Sequence, residues 1–170
     1  MKRILLLTIA FATATTLSAQ KFGFVDSDYI RSNIPAFTAA QEQLNALAEQ
    51  WEKEVTEGYA EVEKMYREYQ NEAVMLTQEM RVQREEAIIA REREVKELQE
   101  RYFGVEGELF LKRQELIQPI QDQILDAIKE VADEGGFAAI FDTSSGGNIL
   151  FANARHDVSD IVLEKLGYGK

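Results

Sequence analysis

From Ala36 to about Asp133 the sequence holds almost nothing that stops a helix, and its apolar residues keep one rhythm. Leu44, Leu47, Trp51, Val55, Tyr59, Val62, Tyr66, Tyr69, Ala73, Leu76 and Met80 follow one another in steps of three and four. That spacing is the seam of a left-handed coiled coil. It resumes at Val95, Leu98, Tyr102, Val105 and Leu109, and again at Leu116, Ile120, Ile124 and Ile128. Opposite charges four apart, such as Glu63 with Arg67 and Glu92 with Lys96, support the outer faces by a few tenths of a kcal/mol each. A single straight helix of this length would reach roughly 150 Å with one stripe uncovered throughout. Between the two seams, residues 77–86 form the most polar segment, and Arg81, Arg84 and Arg91 stand where the seam should be apolar. The chain is therefore expected to fold back near residues 77–86, giving two antiparallel arms of roughly 60 Å. Neither glycine nor proline marks that bend.

Two glycines do interrupt the second arm, in RYFGVEGELF at residues 101–110. Each costs a helix interior about 1 kcal/mol relative to alanine. A hairpin centred near residue 81 sets Gly58 opposite residue 104, so Gly58, Gly104 and Gly107 are expected to lie at one height and act as a hinge. Two alternatives stand beside this: small residues for close helix approach, or a local bulge at FGVEG. Pro119 removes one backbone hydrogen bond and is expected to give a separate kink.

The ends of the chain read differently. Lys2 and Arg3, an apolar run from Ile4 to Phe11 and the small residues up to Ala19 have the order of a cleaved export signal covering residues 1–19. Its loss leaves 17 basic against 30 acidic side chains, and there is no cysteine to cross-link in an oxidising compartment. A protein this acidic is a poor partner for nucleic acid or an anionic lipid surface. Phe22, Phe24 and Val25 signal a short strand, as do residues 136–142 and 148–153 with Ile140, Phe141, Ile149, Leu150 and Phe151. The expected fold is α+β but mostly α. Residues 36–118 form the coiled-coil hairpin, and residues 20–35 with 119–170 form a small β-containing body closed by a short helix ending at Gly167.

Reactive chemistry is scarce. His156 is the single histidine and precedes a helix start, which marks a surface loop residue. Residues from Asp142 faintly resemble a calcium loop, but the twelfth position is Asn153 rather than a bidentate Glu. Asp26 and Asp28 read as strand-end and helix-cap residues. No phosphate loop has the required spacing. The chain is expected not to be an enzyme and to need no cofactor or metal. What remains is surface. Two helices cannot hide all of Trp51, Tyr59, Tyr66, Tyr69, Met75, Ile88, Ile89, Tyr102, Phe103 and Phe110. Either this surplus packs in an oligomer, or it forms a broad apolar surface for holding non-native chains.

KFGFVDSDYI at residues 21–30, the long Glu/Lys/Gln-rich region, IQDQILDAIKEVADEGGFAAIFDTSSGGNILFAN and HDVSDIVLEKLG together resemble the Skp/OmpH family of periplasmic chaperones. The resemblance spans the mature chain and is densest from Ile120 to Leu166. It implies a homotrimer whose chain ends build a β-barrel body, with three tentacle-like hairpins around a cavity. It implies ATP-independent capture of unfolded outer-membrane β-barrel proteins in the periplasm before insertion, and it carries no catalytic residues. One departure stands out. Better-known members have basic arms, whereas residues 40–118 here hold 11 basic and 19 acidic side chains. That argues against direct membrane or lipopolysaccharide binding and for client capture through apolar contacts. The rival expectation is an envelope coiled-coil adaptor that binds one folded partner.

Overall fold

The computed structural model describes residues 20–144, 146 and 149–169, so the expected export signal and Asn148 lie outside the described residues. The chain divides into two compact units, Ile34–Gln123 and the two chain ends, up to Asn33 and from Ile124. Pro35 stands in the first turn of the long helix α2, Pro35–Glu72, where its missing N–H is no loss. Helix α1, Ser27–Ser32, comes before it, and α3, Gln78–Phe103, and α4, Glu108–Gly135, follow.

In the helical unit α2 and α3 run antiparallel. Trp51 faces Tyr102, Tyr59 reaches Gln99, and Glu61 pairs with Arg91 at 2.8 Å. The reversal occupies residues 73–77, ahead of the polar segment where it was expected. Thr77 starts α3, its hydroxyl accepting the Met80 amide at 3.3 Å, so residues 78–86 are helix rather than bend. Two of the arginines at seam positions have a physical reason. Arg84 lies 3.4 Å from Glu72, and Arg91 bridges Glu61 of α2 and Glu94 of its own helix, so carboxylates of α2 take the place of apolar partners. Among the described residues Arg81 has no such pair, and its buried Nε makes no hydrogen bond. Nearer the start of α2, Ala40, Leu44 and Ile117 form a buried cluster flanked by Phe37, Leu109, Leu116 and Ile120.

The earlier reversal also moves the glycines out of level. Gly58 sits against Val95, not Gly104, and a Cβ on it would lie 2.8 Å from Val95 Cγ2. Gly58 therefore serves close helix approach, and the expected three-glycine hinge does not assemble at one height. Gly104 ends α3, donating to the Glu100 carbonyl at 2.8 Å, and Gly107 donates to the Gly104 carbonyl at 2.9 Å before α4 begins. FGVEG is thus a true break between two helices. At Pro119, by contrast, helix α4 is not interrupted.

In the unit of the chain ends, strand β1, Lys21–Val25, pairs in parallel with β2, Phe137–Asp142, so residues far apart in sequence share a two-stranded sheet. Gly136 takes a left-handed φ of 62°, which lets the chain turn directly from α4 into β2. Asp26 caps α1, accepting the Tyr29 amide at 3.0 Å, as its place at the end of β1 suggested. Among the described residues the expected third strand does not form: residues 149–153 are irregular, Leu150 is 100% exposed and Phe151 82%. Their β-like composition finds no strand to bond to among the described residues. Asp157 adds one parallel bridge to Phe24, and its carboxylate accepts the Ser159 amide at 2.8 Å to open helix α5, Ser159–Lys165. Ile30, Val158, Val162 and Leu163 are buried where α1 meets α5.

The Gly58 contact makes a prediction. Replacing Gly58 by Leu gains about 0.8 kcal/mol of helix propensity but overpacks a fully buried neighbour at about 1–3 kcal/mol. Gly58→Leu should lower the urea midpoint at fixed protein concentration, and adding Val95→Ala should recover part of the loss. An unchanged or raised midpoint for the single variant would show that the helices have room there.

Candidate functional site

The structure divides the predicted apolar set in two. Trp51 is buried, its ring stacked on Tyr102 with centroids 4.8 Å apart and planes within 7°. The Tyr102 hydroxyl donates to Glu54 at 2.9 Å, and that bond holds the phenol above its usual pKa. Tyr59 donates to Gln99 at 2.9 Å, and Tyr69 donates to Glu85, which raises its phenol in the same way. These rings lie across the helix pair with their polar tips tied down, so they belong to its interface as much as to its surface. Ile88 is half-buried.

The other group faces outward. Tyr66, Met75, Ile89, Phe103 and Phe110 are all exposed. Val74 and Val82, which the sequence did not single out, are exposed as well, as are Leu111 and the seam residue Val105. Val105 is the instructive case. It continues the three-four seam in the sequence, but the break at 104–107 ends the helix before it and leaves it 94% exposed. The only advance signal was its place between two glycines.

The chain ends carry a second apolar set. Phe22 and Phe24 each lie 6.1 Å from Phe141 between ring centroids, on one face of the two-stranded sheet. Phe22 and Phe141 remain nearly half exposed, Ile140 and Ile149 are half-buried, and Val25 is buried.

Asp142, the start of the weak calcium-loop pattern, is occupied otherwise. Its carboxylate accepts from the Ser27 amide and hydroxyl at 3.1 and 2.6 Å, and from the Ser144 amide and hydroxyl at 3.0 and 2.9 Å. It ties the end of β2 to the start of α1. Burial by itself would raise its pKa, but the hydrogen bonds from Ser27 and Ser144 outweigh this and hold the carboxyl below its ordinary value. His156 is exposed in a single 3-10 turn, Ala154–His156. No helix among the described residues is long and apolar enough to cross a membrane.

Two measurements probe these arrangements. Trp51 is the sole tryptophan. Removing its stacking partner by Tyr102→Ala should shift its emission to the red and make it easier to quench with acrylamide; unchanged emission would mean that Tyr102 does not shield it. Asp142 has a depressed pKa in the folded state, so the stability it adds is present above about pH 4 and lost as pH falls through the lower, folded value. Asp142→Asn should flatten the acid side of the stability profile, and an equally steep profile would remove Asp142 as a contributor.

The sequence matches the family described as outer membrane protein (OmpH-like) over residues 21–166. Among solved structures, the fold resembles a protein described as an outer membrane chaperone (OmpH-like), from Caulobacter crescentus CB15. The TM-score is 0.68 at 13% identity, covering 88% of this chain and 85% of that one. At that identity the likeness speaks for the fold alone. No curated protein matches the chain.

Proposed function

We propose, from the premise that this chain belongs to the OmpH-like outer membrane protein family, that it is a periplasmic holdase chaperone. It binds unfolded outer-membrane β-barrel proteins and keeps them from aggregating before insertion, without ATP and without a catalytic step. The observation that carries this reading is the spread of exposed apolar side chains along the helical unit: Tyr66, Ile89 and Phe110 on three helices, Met75 at the reversal and Val105 at the break. A single folded ligand favours a concentrated apolar patch, whereas an unfolded chain can meet scattered contacts in turn. Contacts of that kind are weak one by one and gain strength from being many.

The working unit is a homotrimer, and the chain ends support it. A two-stranded sheet is marginal by itself. Among the described residues β2 is an edge and β1 has only the bridge at Asp157 on its other side, Phe22 and Phe141 stay half open, and Leu150 and Phe151 are almost wholly in water. Further copies would cover these residues and the open edges. Export to the periplasm rests on the signal read at residues 1–19, and on the family.

The test is dilution of a denatured outer-membrane β-barrel protein into buffer with the mature protein. A trimer equimolar with the client should suppress light scattering without ATP. Met75→Ser with Ile89→Ser should weaken that protection while leaving the circular dichroism unchanged. Unhindered aggregation together with stoichiometric capture of one folded envelope protein would replace the holdase by the adaptor.

A further inference from the structure

The break between α3 and α4 leaves an open notch of about 680 Å³ within the helical unit. A Cβ on Gly107 would lie 2.8 Å from the Tyr102 carbonyl oxygen, and one on Gly104 would press into the Glu100 carbonyl, so larger residues at either position would move the chain at the break. Val105, 94% exposed, and Leu111, 53% exposed, are the apolar side chains that line the notch. Glu97, Glu100, Glu106 and Glu108 line it as well, with Arg101 the one cation in its lining. Glu97 shares Arg93 at 3.9 Å, but among the described residues Glu100, Glu106 and Glu108 have no cation within ion-pair distance.

We propose that this notch docks an extended non-native segment in which a bulky apolar side chain is flanked by lysine or arginine. The inference rests on the holdase reading and specifies which client segments that activity selects. Val105 and Leu111 gain by covering an apolar side chain, about 0.8 kcal/mol for each methylene buried. The unpaired carboxylates attract flanking cations and repel flanking acids, a preference that salt weakens. Charge also argues against the obvious rival occupant. A second copy would bring its own acidic helices, with 19 acidic against 11 basic side chains over residues 40–118, to an acidic rim.

The experiment uses the intact mature protein and two fluorescein-labelled ten-residue peptides, one alternating leucine with lysine, the other alternating leucine with glutamate. Fluorescence anisotropy should show the lysine peptide binding at least about tenfold more tightly at low salt, with the gap closing as salt rises. Val105→Ser with Leu111→Ser should weaken its binding about tenfold. Glu100→Gln, Glu106→Gln and Glu108→Gln together should remove most of the preference for lysine, with circular dichroism unchanged in both variants. Equal binding of the two peptides, or full retention by the serine variant, overturns the proposal. So does a change in native particle mass in the serine variant, which would assign the notch to contact between copies. The aggregation assay separates the two readings. Client protection without peptide discrimination leaves the holdase and removes the docking notch, while peptide discrimination without client protection does the reverse.

Discussion

The parallel pairing of β1 with β2 governs the rest of the chain. Lys21 meets Phe137 and Val25 meets Asp142, so more than a hundred residues must leave one strand and return to bond beside it. Closing a loop of that length costs on the order of 4 kcal/mol in chain entropy beyond a constant term. Two strands of five and six residues cannot supply this alone. A helical segment that reverses on itself and covers its own apolar seam brings the ends back with most of its residues already ordered. The Asp142 carboxylate, bonded to Ser27 and Ser144, and the Ser159 hydroxyl, accepting from the Asp26 amide at 2.8 Å, then fasten the return.

Register between α2 and α3 is set by unlike devices along their length. Near the start of α2 the partner is α4 instead, through ordinary packing around Leu44 and Ile117. At mid-length it is the fit of Val95 against Gly58 and the stack of Trp51 on Tyr102. Toward the reversal it is polar, through Tyr69 with Glu85 and Arg84 with Glu72. Exposed ion pairs add little stability, typically under about 1 kcal/mol. The part of the pair nearest the reversal is thus held by direction more than by strength. That leaves apolar side chains such as Met75 and Ile89 free of any internal duty.

Periodicity made the antiparallel helix pair legible in the sequence, because a seam fixes which residues must be covered. The same pattern could not locate the reversal. The polar segment resembles a bend, yet its Arg84 faces Glu72 of α2, a relation that exists only once the helices are paired. Thr77 was the local clue, a residue able to cap a helix just after Leu76. An error in the centre of a hairpin is doubled at the opposite residue, which is why Gly58 was matched to Gly104 and meets Val95 instead. The break at Gly104 and Gly107 was visible as two helix-weakening residues, but its consequence, the ejection of Val105 from the seam, was not. At the chain ends, composition alone made strands of residues 148–153, and composition cannot report whether a partner edge exists. The candidate surface was legible as a surplus of apolar residues. Which of them are covered, as Trp51 is, depended on contacts between helices.

The proposed use of an acidic helical pair with exposed apolar side chains and a two-stranded sheet is that several copies share the sheet and offer their exposed residues jointly to a chain that has not folded. Native mass spectrometry of the mature protein, alone and after addition of one unfolded outer-membrane β-barrel protein, tests this most directly. The account predicts a trimer that takes up one client chain as a discrete complex. A folded monomer at micromolar concentration whose mass does not change on addition of client would contradict it.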